Sequence, residues 1–292
     1  MEQRQVLVAV AVVVAATLLA VAPLLLAGEA GPPPVASTPY VRAEDAAATV
    51  YNLAVFFGLL VGATVLIYVI FSRRRLMSLF VSLTWFLLSV GVVQFYAVLY
   101  YWSGLIGDTA ALLLLWLSFP FGVAVLYMVK KRRGDVVLGF LSSLAGAMFA
   151  WLLPEATVAA LLAALPIYDY FMVSRGLLGK LIKRSREAAT PGSKGGGASA
   201  DSPLFGFVVR MKSLSLGTGD FVVYAAALTF IAARIIHQSR LAALLSVGVG
   251  AALIYLGLRL TVAVFVKRWG YGPALPIPML LLSPLLALAL LE

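Results

Sequence analysis

The sequence predicts an all-α integral membrane protein of nine transmembrane helices, and three observations carry that reading. Of its 292 residues 63% are hydrophobic and only 12% charged, with a mean hydropathy of +1.03. A soluble domain carries about a quarter charged residues, because its surface must face water. Apolar runs near the ~20 residues that cross a bilayer recur along the whole chain. The basic residues stand in short clusters between those runs, as they do in the inner loops of membrane proteins.

The nine runs are 5–27, 47–71, 78–102, 109–129, 136–153, 157–175, 208–233, 241–266 and 275–291. The first follows Arg4 and ends near Ala27-Gly28-Glu29-Ala30, so a signal peptide is the alternative. A signal core is about 7–15 residues, and this longer run reads as a retained span. Charge sets the orientation. One side collects Arg4, Arg73–Arg75, Lys130–Arg133, Arg175, Lys180, Lys183, Arg184, Arg186, Lys194, Arg210, Lys212, Lys267 and Arg268. The other collects Arg42, Arg234 and Arg240, with Arg259 inside a span. The N-terminus is therefore expected in the cytoplasm and the C-terminus outside, as an odd number of spans requires.

Residues 1–183 read as a six-span half and 207–292 as a three-span half. Between them, 184–206 contains Thr190-Pro-Gly-Ser-Lys-Gly-Gly-Gly-Ala-Ser, too polar and glycine-rich to bury surface, and is expected to be a flexible tether. The outer loop 28–45, with Pro32-Pro33-Pro34, is expected to be partly extended. Small residues at four-residue spacing, Ser142, Gly146 and Ala150 in the fifth run and Gly248 and Ala252 in the eighth, suit close helix approach within the chain or in an oligomer. Gln94 reads as a packing hydrogen bond. Arg259 reads as snorkelling to the inner surface or, alternatively, as lying near a buried acid.

Several function classes are excluded. The net charge of +10 lies in loop clusters without interleaved aromatics, so nucleic acid is not an expected partner. With no cysteine and one histidine there is no disulfide framework, no Cys/His metal site and no two-histidine metalloprotease helix. Serine–histidine chemistry in the membrane would need His237, which falls at the outer end of the seventh run and reads as an interfacial residue.

Two acidic residues lie inside spans, Asp169 in the sixth run and Asp220 in the seventh. An ionisable group at membrane depth is costly and is a functional candidate by default. Asp169 precedes Arg175 by six residues, about 9 Å of helix, and Asp220 follows Lys212 by eight, about 12 Å. Both are expected at similar depth in the cytoplasmic half, face to face on antiparallel neighbours. Facing carboxyls in low dielectric tend to share one proton. Depth alone leaves three readings open: a satisfied interhelical contact, a proton or cation relay, and hydrolysis by a water activated between the pair. Their surroundings add to the last. Asp220 ends Gly217-Thr218-Gly219-Asp220, where two glycines allow close backbone approach. The ninth run opens with Gly272-Pro273-Ala274-Leu275-Pro276-Ile277-Pro278, whose prolines forbid regular helix. Irregular backbone at that depth is tolerated only where it lines a cavity or is buried in protein.

With Tyr168-Asp169, Gly217-Thr218-Gly219-Asp220 and Pro273-Ala274-Leu275 in order on the sixth, seventh and ninth runs, the chain resembles the presenilin and signal peptide peptidase family of intramembrane aspartyl proteases. The likeness covers the C-terminal half; the first five runs match only in number. Pro276 after Pro-Ala-Leu, Phe221 after the aspartate and a cytoplasmic N-terminus resemble the presenilin branch, in a compact prokaryotic, archaeal form. The resemblance implies catalysis by Asp169 and Asp220, with Tyr168, Gly217, Thr218, Gly219, Pro273, Ala274 and Leu275 shaping the site or binding substrate. It implies no cofactor beyond a catalytic water, no metal, transmembrane proteins or peptides as substrates, and residence in a prokaryotic cell membrane. Thr218 stands where the family more often has Leu, which implies altered substrate preference. The 184–206 loop lacks the hydrophobic segment that presenilin cuts in itself. A proton-coupled transporter or cation channel using the same two Asp is the alternative; a prepilin-type peptidase shares Gly-x-Gly-Asp but has fewer spans.

Overall fold

A computed structural model describes residues 2–27, 39–70, 73–131, 133–174, 206–210, 215–266 and 272–291. Most of the expected tether (184–205) and the Pro32-Pro33-Pro34 segment lie outside the described residues. Among the described residues eight helices are long and apolar enough to cross a membrane, which makes the chain a multi-pass membrane protein. They are α1 (Glu2–Ala27), α2 (Ala46–Ile70), α3 (Arg74–Trp102), α4 (Asp108–Lys130), α5 (Asp135–Leu152), α6 (Glu155–Ser174), α7 (Thr218–Ile235) and α8 (Arg240–Thr261). A shorter apolar helix, α9 (Pro276–Leu290), follows.

The seventh run departs from expectation. Residues 208–210 and 215–217 are not the start of a helix but an antiparallel pair, β1 (Val208–Arg210) and β2 (Ser215–Gly217), with Val209 opposite Leu216. Adjacent β-branched valines favour the pleat. Gly206 enters the hairpin at φ 91°, where a side chain would be strained. Its carbonyl accepts the Trp85 indole N–H at 2.9 Å, and the Phe207 carbonyl accepts the Thr218 N–H at 2.9 Å. Trp85 lies eleven residues into α3, about 16 Å along its axis. The hairpin is thus carried well along α3, and these side chains satisfy backbone that lipid could not. The ninth run also shortens: α9 has 15 residues, about 22 Å, and begins at Pro276 after an irregular stretch, 272–275, whose last residue Leu275 already takes helical angles.

The centre of the molecule is α7. Its apolar window is 72% buried, against none for α2. Ala225, Ala226 and Ala227 keep its surface narrow, so α1, α5, α8 and α9 can surround it. On α5, Gly146 faces Val222 so closely that a Cβ would overlap its carbonyl group. Gly257 of α8 meets Pro278 of α9 in the same way. The fifth run's small stripe is therefore packing within the chain. Gly248 and Ala252 instead face outward, with nothing within 4 Å of a Cβ built on Gly248. Along α1, Val6, Val10, Val13, Thr17, Ala20 and Val21 are buried, so this helix belongs to the core.

At the end of the bundle away from the hairpin, polar side chains tie the helices together. Asn52, fully buried, exchanges two 2.8 Å bonds with the Val41 backbone and donates to Thr157 Oγ1 at 3.1 Å. Glu44 accepts from the Glu155 and Ala156 N–H groups at the start of α6. Arg234 pairs with Glu155 at 2.7 Å and donates to the Ala289 carbonyl at 3.3 Å. Gln94 donates to Ser118 Oγ at 3.2 Å between α3 and α4, the packing bond expected of it.

The two glycines yield a paired prediction. Gly146→Leu forces α5 from α7 and should cost about 1–3 kcal/mol or more, read as a lower thermal midpoint in detergent. Gly248→Leu faces open space and should leave the midpoint within about 0.5 kcal/mol equivalent of wild type.

Candidate functional site: two carboxyls at a break in the scaffold

Asp169 lies five residues before the end of α6 at Ser174, and Asp220 is the third residue of α7. Each is supported by backbone from a helix start. The Asp220 Oδ2 accepts the Gly217 N–H at 2.9 Å, half of a capping box whose other half glycine cannot supply. The Asp169 Oδ2 accepts the Leu275 N–H at 3.2 Å, and the Ala274 N–H is directed at the same carboxyl. Both residues keep part of their surface accessible. Asp169 binds the residue after Ala274, whose carbonyl holds the Tyr224 hydroxyl one helical turn beyond Asp220, so the two acids flank one junction, and among the described residues no cation pairs with either. Two adjacent carboxyls without a cation hold one proton more comfortably than none or two charges.

The Pro273-Ala274-Leu275 segment is brought to this pair. Pro273 and Leu275 are buried, and the Ala274 carbonyl accepts the Tyr224 hydroxyl at 2.7 Å. Tyr224 is four residues after Asp220 on the same face of α7, is fully buried, and feels the charge of both acids. Carboxyl, phenol and irregular segment thus form one connected unit in which Tyr224 positions the 272–275 backbone. Sequence reasoning missed Tyr224; its spacing from Asp220 was the available signal.

The other expected residues divide. Gly217 caps α7 and carries the N–H that binds Asp220. Gly219 is exposed with open space where a Cβ would stand, leaving a bare backbone face beside the acid. Thr218 donates its hydroxyl to the Phe207 carbonyl at 3.2 Å and so closes the hairpin base. Tyr168 does not join the pair: its ring packs on Phe57 of α2 at 5.8 Å between centroids, because successive helix residues point about 100° apart. Arg259 is exposed over the Tyr255 ring at 5.9 Å, the lipid-side placement and not the one near the acids. His237 is exposed in the turn after α7. Among the described residues no three His, Cys, Asp or Glu side chains group as a metal site.

Fold and site together define a polytopic membrane protein with two neighbouring carboxyls where regular helix gives way to hairpin and irregular chain. No protein-family model matches the chain, and no curated protein matches it in sequence.

Removing the phenol tests the connected unit. Tyr224→Phe leaves the ring's packing but orphans the Ala274 carbonyl, a loss of about 1–3 kcal/mol. Hydrogen–deuterium exchange should rise in the peptide covering 273–279 and stay unchanged in α4.

Proposed function

We propose that this protein is an aspartyl protease that hydrolyses peptide bonds within transmembrane segments of other membrane proteins. The observation that carries the reading is the pair Asp169 and Asp220 at one junction of α6, α7 and the 272–275 segment, each held by backbone N–H groups where the helical scaffold is interrupted and, among the described residues, without a cation partner. In the mechanism, the ionised carboxyl takes a proton from a water whose oxygen adds to the scissile carbonyl carbon. The protonated carboxyl hydrogen-bonds the carbonyl oxygen as it gains charge. That carboxyl then gives its proton to the oxygen, forming a gem-diol; as the C–N bond breaks, the proton taken from water passes from the first carboxyl to the leaving nitrogen and a diol hydroxyl proton returns to the second carboxyl.

Substrate must be unwound, and its freed backbone needs partners at several kcal/mol each. The 272–275 segment has committed the Leu275 N–H to Asp169 and the Ala274 carbonyl to Tyr224, so it braces the acids from one side. Among the described residues β2 pairs only with β1, and its second edge, ending at Gly217, is the surface for strand-type pairing. The face of α6 beside Asp169 exposes Ile167, Tyr170 and Phe171 to the lipid from which a substrate span arrives.

A transporter or channel would need a polar path beyond the acids. Behind Tyr224 the walls are apolar and close: Ala9, Val10, Val13, Leu216, Ile254 and Leu258. That favours hydrolysis over conduction. In this reading α9, about 22 Å, and the irregular 272–275 before it together make the ninth crossing. The N-terminus lies in the cytoplasm, in a prokaryotic cell membrane, and the likeness to the presenilin branch rests on the three motifs.

Purified protein should cleave a labelled single-span peptide. Asp169→Asn and Asp220→Asn should each abolish cleavage, with the double variant no worse, because the pair acts as one unit. Residual activity of several per cent in either single variant would remove the assignment. One carboxyl must be ionised and one protonated, so the rate should rise and then fall with pH, with two limbs belonging to the pair. Leu275→Arg should weaken peptide cleavage and the binding of a transition-state-mimicking inhibitor together.

A further inference from the structure

A second site lies on α3 and α4, remote from the acids. A cavity of about 460 Å³ is lined by Arg75, Ser78, Leu79, Ser82 and Leu83 from α3 and by Leu126 and Lys130 from α4. The two helices run antiparallel: Arg75 is in the first turn of α3 and Lys130 is the last residue of α4, so both cations stand at one end of the cavity. Among the described residues neither has an acidic partner. The hydroxyls of Ser78 and Ser82 follow along the same helix face, four residues apart, and Ser82 is almost wholly buried. Leu83 is eight residues beyond Arg75, about 12 Å deeper. Leu79 and Leu83 keep 65% and 52% of their surface exposed, which is an apolar wall left for a ligand or for lipid tails.

The order of chemistry down this cavity is cation, hydroxyl, hydrocarbon. An anionic phospholipid has the same order: phosphodiester, glycerol oxygens, acyl or alkyl chain. A free phosphate would use the cations and leave the leucine wall bare. We propose that Arg75, Lys130, Ser78 and Ser82 bind the headgroup of an anionic phospholipid whose chain lies along Leu79, Leu83 and Leu126. Basic pockets between transmembrane helices near the inner surface suit such headgroups. The site is independent of hydrolysis, and its test uses no activity.

Native mass spectrometry of the full chain in detergent, titrated with phosphatidylglycerol or phosphatidylcholine, reads the site directly. Wild type should retain phosphatidylglycerol at least about tenfold more strongly, a difference of about 1.4 kcal/mol. The double variant Arg75→Glu with Lys130→Glu should fall to the phosphatidylcholine level, while Arg75→Lys with Lys130→Arg should keep the preference. Leu83→Trp, at an exposed position, should fill the wall and lower retention of both lipids without touching charge. Equal retention of the two lipids by wild type, or an undiminished preference in the charge-reversed variant, would overturn the proposal. So would inorganic phosphate displacing the lipid at equal concentration, which would make this a free phosphate site.

Discussion

Lipid offers no hydrogen bonds, so every backbone group in the apolar layer needs a partner from the protein itself. Among the described residues, 206–210 with 215–217 and then 272–275 leave regular helix beside the bundle core. The structure answers with side chains placed for the purpose: the Trp85 indole on Gly206, the Thr218 hydroxyl on Phe207, the Tyr224 phenol on Ala274 and the Asp169 carboxyl on Leu275. Asp220 does the same for Gly217. The two acids are therefore part of the scaffold that holds the irregular backbone, and that backbone in turn holds the acids.

Such reciprocity needs a rigid support, and α7 provides it. Its alanine-rich surface and the glycines facing it, Gly146 on α5 above all, bring neighbouring helices close. Close packing replaces the hydrophobic drive that is absent between helices in lipid. At the far end, the Glu155–Arg234 pair and the Asn52 bonds fix α6 against α7 and the loop before α2. The ends of α6 and α7 that carry the acids are thus set by contacts made a full helix length away. Two helices stay at the periphery: α4 packs on α3, and α2 touches α6 through Phe57 and Tyr168 and through Asn52 and Thr157.

The outward surface carries a second logic. Leucines exposed along α3 and α4 would be a liability in water and are ordinary in lipid. Against that background, cations, hydroxyls and leucines stacked in one cavity stand out by their order more than by their types. The cavity lies on α3, whose Trp85 also holds the hairpin. One helix therefore presents a polar-to-apolar gradient outward and, inward, the donors Trp85, Tyr96 and Tyr100 that bind backbone carbonyls of its neighbours.

Period and length were enough to make the long helices legible: apolar runs near twenty residues have few other uses, and except at the start of the seventh run, ten residues before α7, their bounds fall within about five residues of those observed. The two acids were legible as exceptions, because a charge in an apolar run is costly. The proline run before α9 was legible because proline removes the donors a helix needs. What stayed hidden depends on partners distant in sequence. Nothing local distinguishes a membrane strand from a short helical start at 208–210; the hairpin is anchored by Trp85, over a hundred residues earlier, whose indole N–H donates to its entry at Gly206. Tyr168 beside Asp169 looked like part of the site, yet tertiary packing turns it to Phe57. Tyr224 looked like one more core residue until Ala274 was brought to its hydroxyl. Apolar pattern and motif spacing by themselves determined the multi-helix membrane architecture and the identity of the candidate acids. Which backbone each acid binds was decided only by the tertiary structure, since a hydrogen bond joins atoms that folding must first bring within 3 Å or so.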